Sequence, residues 1–163
     1  MKKFITVTAA IVLVVIDQII KLLVVNYLKP IGIVTVIDNL FNLTYVENTG
    51  MAFGLLSQQR WIFIILTTVV MLVLLIALFK LKNQGRLFYI SVALLVGGGI
   101  GNLIDRIAYG YVVDYISLSF FPPVCNFADY CVTAGVIVFL IHLFFYTDFL
   151  KGDDKKVNKD GTL

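Results

Sequence analysis

Charge is scarce in this chain. Asp, Glu, Lys and Arg account for 14% of its 163 residues, whereas they account for about 25% of a typical soluble domain. Apolar residues make up 60%, and the mean hydropathy is +0.97. This composition excludes an ordinary soluble domain and indicates an integral membrane protein. The net charge is only +3 and no basic patch with interleaved aromatic residues is present, which argues against a nucleic-acid partner.

Metal-ligating side chains are also few, since the chain has two cysteines and one histidine. Cys125, Cys131 and His142 do not have the spacing of a zinc site, so the sequence predicts no metal and no cofactor. Two alternatives stay open for the cysteines. They form a disulfide if both face the outside, or they are small apolar side chains within packed segments.

Long apolar runs dominate the chain instead. They cover about residues 4–27, 61–79, 87–104 and 127–149, and a helix needs about 20 residues to cross the hydrocarbon core. Open strands would leave backbone groups unpaired in lipid, so the runs predict helices. The first run continues past Asp17 without a clear cleavage site, which predicts an uncleaved span. The predicted fold class is an all-α membrane protein with one four-span domain over residues 1–150.

Lysine and arginine cluster before the first run, at residues 80–86 and after the fourth run. The positive-inside rule assigns these clusters to the cytoplasm, so both termini are expected there. Residues 28–60 and 105–126 are then expected on the outer face. The charged tail 151–163 has no apolar periodicity, and we expect it to be disordered.

The first outer segment predicts a small sheet. Ile33–Ile37 and Leu40–Val46 are rich in β-branched and aromatic residues, and Asp38-Asn39 between them is a turn signal. We therefore expect a short hairpin on the outer surface, followed by a short helix or loop at Met51–Leu56.

Two carboxylates stand out in apolar surroundings. Asp114 lies in the second outer segment, and Asp129 lies at the start of the fourth run. Carboxylates at the edge of a membrane indicate a functional site by default, and Pro122-Pro123 turns the intervening chain back so that both reach one level. Two carboxylates at one site repel and share a proton, which gives an acid and a base able to activate water against an amide. Taken alone, Asp129 is better explained as a helix cap or dipole partner, and this explanation weakens only once Asp114 is placed at the same level.

Polar residues of the first and third runs converge on the same membrane face. Asp17 and Lys21 are spaced i, i+4 on one face of the first helix. They are explained either as a polar clamp between helices or, functionally, as support for a site or contact with a lipid headgroup. Gly97–Gly101 predicts either close helix packing or room for a substrate.

Asn102, Asp105 and Arg106 share one side of the third helix. Asp105 and Arg106 are most simply an interfacial charge pair that orients the end of this helix. Asn126 precedes Asp129 by one helical turn, so the two are expected on one face.

Other chemistries are disfavoured. His142 lies about 20 Å further along the fourth helix than Asp129, too far to join the carboxylate pair. No base lies near a serine or cysteine of the outer face, which argues against a covalent nucleophile. A small transporter would be supported by an internal repeat, which is absent. A presenilin-type protease would carry a GxGD sequence, which is also absent, and a structural membrane protein stays open as an alternative.

The order of these motifs resembles the lipoprotein signal peptidase (signal peptidase II) family of bacterial aspartic membrane proteases. The resemblance covers nearly the whole chain, from Asp17 to about Gly135. Its five motifs are DQIIK at Asp17–Lys21, ENTGMAFG at Glu47–Gly54, GGGIGNLIDR at Gly97–Arg106, VVDY at Val112–Tyr115 and NFAD at Asn126–Asp129.

The resemblance implies an enzyme that removes the signal peptide from prolipoproteins, cutting on the amino side of a cysteine that carries diacylglycerol. It implies four transmembrane helices with a small extracytoplasmic sheet and a short helix over the site, in the bacterial cytoplasmic membrane. It also implies that no cofactor is needed and that the cyclic peptide globomycin inhibits. We expect a monomer whose partners are lipidated substrates and membrane lipid.

The resemblance also assigns residues. Asp114 and Asp129 match the catalytic pair. Positions that line or support the substrate site are matched by Asn48, Gly50, Phe53, Gly98, Asn102, Asp105, Arg106, Asn126, Asp17 and Lys21. Cys125 departs from the family, which usually has an aromatic residue there, and this difference bears on the fit of the substrate.

Overall fold

Four long helices form the body of the protein. The computed structural model describes residues 1–50, 59–82 and 84–157. The helices are α1 (Lys2–Leu23), α2 (Arg60–Lys80), α3 (Arg86–Ala108) and α4 (Phe127–Val157), and α1 continues as a π-helical turn over Val24–Leu28. Each is long and apolar enough to cross a membrane. The four predicted spans are confirmed, with starting residues that differ from the prediction by two residues at most.

The fourth helix is longer than predicted. Its membrane-spanning part begins at Phe127, as expected, but the helix continues to Val157 instead of ending near residue 149. Residues 151–157 are therefore helical where the sequence predicts a disordered tail. Once a helix has formed, each added residue gains a backbone hydrogen bond, so the helix can continue into a charged segment that has no apolar periodicity.

A four-stranded antiparallel sheet accompanies the helices. Its strands are β1 (Ile33–Ile37), β2 (Phe41–Asn48), β3 (Val112–Leu118) and β4 (Phe121–Cys125), in the order β1-β2-β3-β4. The predicted β1–β2 hairpin is confirmed, and Asn39 in its turn has a φ of 56°, which asparagine tolerates.

The second hairpin, β3–β4, was not expected from the sequence, which predicts only that Pro122-Pro123 turns the chain back. Both prolines lie in β4, at the edge of the sheet, where a missing N–H breaks no ladder. The antiparallel register pairs Val46 with Asp114 and Asn48 with Val112. The side chains of Asn48 and Asp114 are thus diagonal neighbours on adjacent strands.

The third helix is the centre of the bundle, and half of its most apolar stretch is buried. Its glycines face three other helices: a Cβ on Gly97 would meet Leu13 of α1, one on Gly98 would meet Ala128 of α4, and one on Gly99 would meet Met71 of α2. Small residues let helices approach closely in a membrane. The glycine run is therefore a packing surface, the first of its two predicted roles.

Gly98→Ala is expected to lower the free energy of unfolding by about 1–3 kcal/mol, because its Cβ cannot be accommodated without moving a backbone. The new Cβ would lie 2.5 Å from the Ala128 carbonyl oxygen. Thermal melting in detergent measures the loss. Gly85→Ala is the matched control, since its Cβ would lie 3.7 Å from the nearest atom, in His142. Equal melting temperatures for the two variants would contradict this account of α3–α4 packing.

Candidate active site

Asp114 of β3 and Asp129 of α4 meet at one asparagine. The Asn126 side-chain amide donates to Asp114 Oδ1 at 2.6 Å, and the Asn126 backbone N–H donates to Asp129 Oδ2 at 3.0 Å. Asp114 is buried, with 2% of its surface exposed, and Asn126 is fully buried. Asn126, between the sheet and the fourth helix, therefore bonds to both carboxylates.

Asn48 holds the other oxygen of Asp114. Its Nδ2 donates to Asp114 Oδ2 at 2.8 Å, and its Oδ1 accepts from the Gly50 backbone N–H at 3.0 Å. Because the Gly50 N–H can only donate, the amide of Asn48 must present its own N–H to the carboxylate. The predicted site residues Asn48 and Gly50 thus act on Asp114 together.

Asn102 of α3 holds the other oxygen of Asp129. Its Nδ2 donates to Asp129 Oδ1 at 2.8 Å, while its Oδ1 accepts from Asn126 Nδ2 at 3.1 Å. All four carboxylate oxygens of the pair therefore accept a hydrogen bond from an asparagine.

A buried ion cluster lies behind Asn102. The Lys21 ammonium is 2.9 Å from both Asp17 and Asp105, and it donates to Asn102 Oδ1 at 2.8 Å. The predicted interhelical clamp is confirmed, since Lys21 ties α1 to α3. Gln18 adds to it by donating to Asp17 and Asp105 at 3.2 and 3.1 Å.

The predicted charge pair between Asp105 and Arg106 is wrong. Asp105 pairs with Lys21 and also accepts from the Val113 backbone N–H at 3.1 Å. Arg106 instead donates to the Asn102 carbonyl oxygen at 3.3 Å and lies 5.2 Å from the ring centre of Phe63. Neighbouring residues of a helix point in different directions, so i, i+1 side chains do not face each other.

The first turn of α4 is held by side chains from β3 and α1 and by Asn126, the residue that precedes the helix. The Phe127 N–H donates to the Tyr115 hydroxyl at 3.2 Å, and the Ala128 N–H donates to Asp17 at 3.2 Å. The Asp129 N–H donates to Asn126 Oδ1 at 3.0 Å, which completes a reciprocal cap with the bond that Asp129 accepts. Asp129 is thus both a cap and a member of the pair, and the two predicted roles are compatible.

Burial and the neighbouring negative charge raise the proton affinity of Asp114. Burial, followed by the negative charge of Asp129, raises the pKa of Asp114 to about 6. Burial, followed by the charges of both aspartates, also raises the pKa of the nearby Cys125 thiol to about 11. A protonated thiol is a poor nucleophile. Cys125 and Cys131 are both free, so the disulfide alternative does not describe this structure.

The chain has counterparts among known proteins. The family model described as signal peptidase (SPase) II, Peptidase_A8, matches residues 9–145. The chain belongs to the signal peptidase II family. Proteins of this family are proteases, and this chain is therefore a membrane-spanning protease.

Relatives of the same family are similar over most of the chain. A lipoprotein signal peptidase of Caldanaerobacter subterraneus subsp. tengcongensis is 48% identical over 122 residues, which are 75% of this chain and 83% of that protein. One of Halothermothrix orenii is 42% identical over 132 residues, 81% of this chain and 90% of that protein. The family resemblance inferred from the motifs is confirmed.

Two solved structures have a similar fold. One, described as a bacterial membrane enzyme determined by the in meso method at 2.3 Å, matches with a TM-score of 0.79 and 32% identity, over 87% of this chain and 88% of that one. A second, similarly described at 1.9 Å, has a TM-score of 0.75 and 33% identity, over 85% and 91% of the two chains. The signal peptidase II fold of this chain therefore has experimental counterparts.

The remaining predicted residues lie apart from the pair or outside the described chain. His142 is buried beside Gln84, at the end of the α3–α4 interface far from Asp129. Phe53 and the short element predicted at Met51–Leu56 lie outside the described residues. Among the residues that the structure describes, no cluster of histidine, cysteine and acidic side chains could hold a metal ion.

Two residues of this candidate site are not among the residues predicted from the sequence. Gln18 lies inside the DQIIK motif and bonds to α3, and a polar side chain within an apolar run was the available signal. Tyr115 lies inside VVDY and caps α4 through its hydroxyl. Nothing in the sequence alone indicates that Tyr115 accepts from the Phe127 N–H, because this contact joins strand β3 to helix α4 and depends on how the two elements pack.

Proposed function

We propose that this protein is an aspartic endopeptidase that removes the signal peptide from diacylglyceryl-modified prolipoproteins. It cuts on the amino side of the lipidated cysteine. The observation that carries the proposal is the convergence of Asp114 and Asp129 on Asn126, in a chain whose relatives are named lipoprotein signal peptidases. Asp114 and Asp129 are the proposed catalytic residues.

The proposed reaction needs one proton on the pair. Asp114, whose pKa is raised to about 6, holds that proton, and ionised Asp129 takes a proton from water as the water attacks the scissile carbonyl. Asp114 then protonates the leaving amine as the C–N bond breaks. The pair ends the cycle with one proton, now on Asp129, and no covalent intermediate forms.

The other predicted site residues support or line the proposed site. Asn48, Asn102 and Asn126 donate to the carboxylates, and Gly50 orients Asn48. The resemblance adds Asp17, Lys21, Gly98, Asp105 and Arg106 to this set, together with Phe53, which lies outside the described residues. A substrate held by two acyl chains gains about 0.8 kcal/mol for each buried CH₂, and such remote binding can position the scissile bond.

We place the site on the outer face of the bacterial cytoplasmic membrane, with both termini inside. The distribution of lysine and arginine supports this orientation, because Lys2 and Lys3 at the start of α1, and Lys80, Lys82 and Arg86 where α2 ends and α3 begins, lie at the helix ends opposite the carboxylate pair. The enzyme would act as a monomer in contact with membrane lipid, without a cofactor or a nucleic-acid partner, and globomycin would inhibit it.

Cleavage of a lipobox peptide tests this function. The purified protein in detergent micelles is supplied with the same peptide with and without diacylglycerol on its cysteine. We expect only the lipidated peptide to be cleaved, with globomycin blocking the reaction and mass spectrometry placing the cut before the cysteine. Equal cleavage of the unlipidated peptide, or a cut at another bond, would contradict the proposed substrate.

The activity is expected to fall as pH rises through about 6, because Asp114 then loses the proton that the leaving amine requires. Asn48→Leu should move this fall in kcat/KM to higher pH by up to about one pH unit, since the lost hydrogen bond stabilises only the ionised carboxylate. Asn42→Leu in the same strand is the matched control and should keep the parent profile. If kcat/KM of Asn48→Leu fell at a lower pH than kcat/KM of the parent, Asp114 would not be the acid.

A further inference from the structure

Lys21 is a buried cation at the centre of the polar network behind Asn102. Only 3% of it is exposed, and its ammonium touches three acceptors: Asp17, Asp105 and the Oδ1 of Asn102. A lysine ammonium has three N–H donors and no acceptor. The atom of the Asn102 side-chain amide that faces Lys21 must therefore be its oxygen. This holds regardless of which groups contact the nitrogen of the same amide.

The orientation of the Asn102 amide in turn determines its contact with the proposed catalytic pair. With its oxygen held by Lys21, the Asn102 amide presents Nδ2 to Asp129 at 2.8 Å. The same oxygen accepts from Asn126 Nδ2 at 3.1 Å. The Asn126 amide is thereby turned so that its nitrogen serves Asp114 and its oxygen receives the Asp129 N–H.

The opposite orientation would reverse these contacts. A flipped Asn102 would aim its N–H₂ at the ammonium and its oxygen at Asp129 Oδ1, so two acceptors would meet unless Asp129 were protonated. Asp129 could not then be the ionised base. One buried ammonium thus selects the amide orientations that keep this carboxylate an acceptor.

We infer that Lys21 is a positioning residue of the catalytic pair, which acts by fixing the amide orientation of Asn102 and, through it, of Asn126. This inference rests on the proposed function, because it assigns Lys21 a part in that reaction. It goes beyond the role of Lys21 as a clamp between α1 and α3, which neutralises Asp17 and Asp105 without reference to catalysis.

Lys21→Met tests the inference with the lipidated peptide as substrate. It should lower kcat about 100-fold with KM unchanged, as expected when a reacting group is misplaced by a small distance. The variant leaves two buried carboxylates without their cation and could melt early. Lys21→Met with Asp17→Asn is therefore measured beside it, because the double substitution preserves the net charge of the cluster and its new amide oxygen can still accept from the Ala128 N–H. The same loss of kcat is expected in this charge-balanced variant.

A double-mutant cycle with Asn102→Ala separates positioning from a structural role. If Lys21 acts through Asn102, adding Lys21→Met to Asn102→Ala should lower kcat no further, because contacts in one network are not additive. If the double variant instead lost kcat by the product of the two single losses, or if the charge-balanced variant kept the parent kcat, the inference would be overturned. An inactive parent protein would instead defeat the proposed function, so the two failures are distinguishable.

Discussion

Asp114→Asn and Asp129→Asn are each expected to lower kcat for the lipidated peptide by on the order of 10⁴-fold. Asparagine keeps the size of the side chain but can neither take a proton from water nor carry one to the leaving amine. Because each carboxylate has its own part in the reaction, neither variant should retain more than trace activity. The measurement is single-turnover cleavage by purified variants whose melting temperatures are within a few degrees of the parent.

Asp38→Asn is the matched control for these variants. Asp38 is exposed in the turn between β1 and β2, and the same substitution there should leave kcat unchanged. If Asp114→Asn or Asp129→Asn cleaved at the parent rate, the acid–base pair would be wrongly assigned. If neither the parent nor the variants cleaved the peptide, the proposed substrate would be wrong instead.

Asn126→Ala is expected to damage both stability and catalysis. Loss of the cap on α4 should lower the free energy of unfolding by about 1 kcal/mol. Loss of the donor to Asp114, at 2.6 Å in the structure, should lower kcat about 100-fold, because the carboxylate is no longer held in place.

Asn126→Ser separates the two effects. A serine hydroxyl at this position can still accept from the Asp129 N–H, but it is too short to serve both Asp114 and Asn102 as the Asn126 amide does. We therefore expect a melting temperature near that of the parent together with the low kcat of Asn126→Ala. Restored kcat in Asn126→Ser would mean that Asn126 serves only as a helix cap.

The helical spans and the first hairpin follow from local sequence, and both are confirmed. Apolar runs of sufficient length can only be helices in lipid, and Asp38-Asn39 between two β-rich runs is a local turn signal. The second hairpin was missed for a physical reason. Val112–Leu118 is buried over its first four residues, so it lacks the alternation of apolar and polar residues that marks a half-exposed strand.

The composition of the site was predictable, but its connections were not. The motifs include Asn48, Asn102 and Asn126 among the predicted site residues. No local feature of the sequence, however, indicates which carboxylate oxygen accepts a hydrogen bond from each asparagine. The pairing of Asp105 shows why: sequence proximity favoured Arg106, whereas the true partner, Lys21, lies 84 positions earlier and on another helix. Such pairings depend on how helices rotate against each other, which periodicity leaves undetermined.

The contact between Asp17 and the Ala128 N–H joins residues 111 positions apart, on the first and last helices of the chain. During synthesis the first helix enters the membrane long before the last. The turn that carries Asp129 therefore reaches the geometry of this structure only after α4 has docked against α1. A truncated chain without α4 would hold Asp114 without Asp129, so under the proposed mechanism proteolytic activity requires the assembled four-helix bundle.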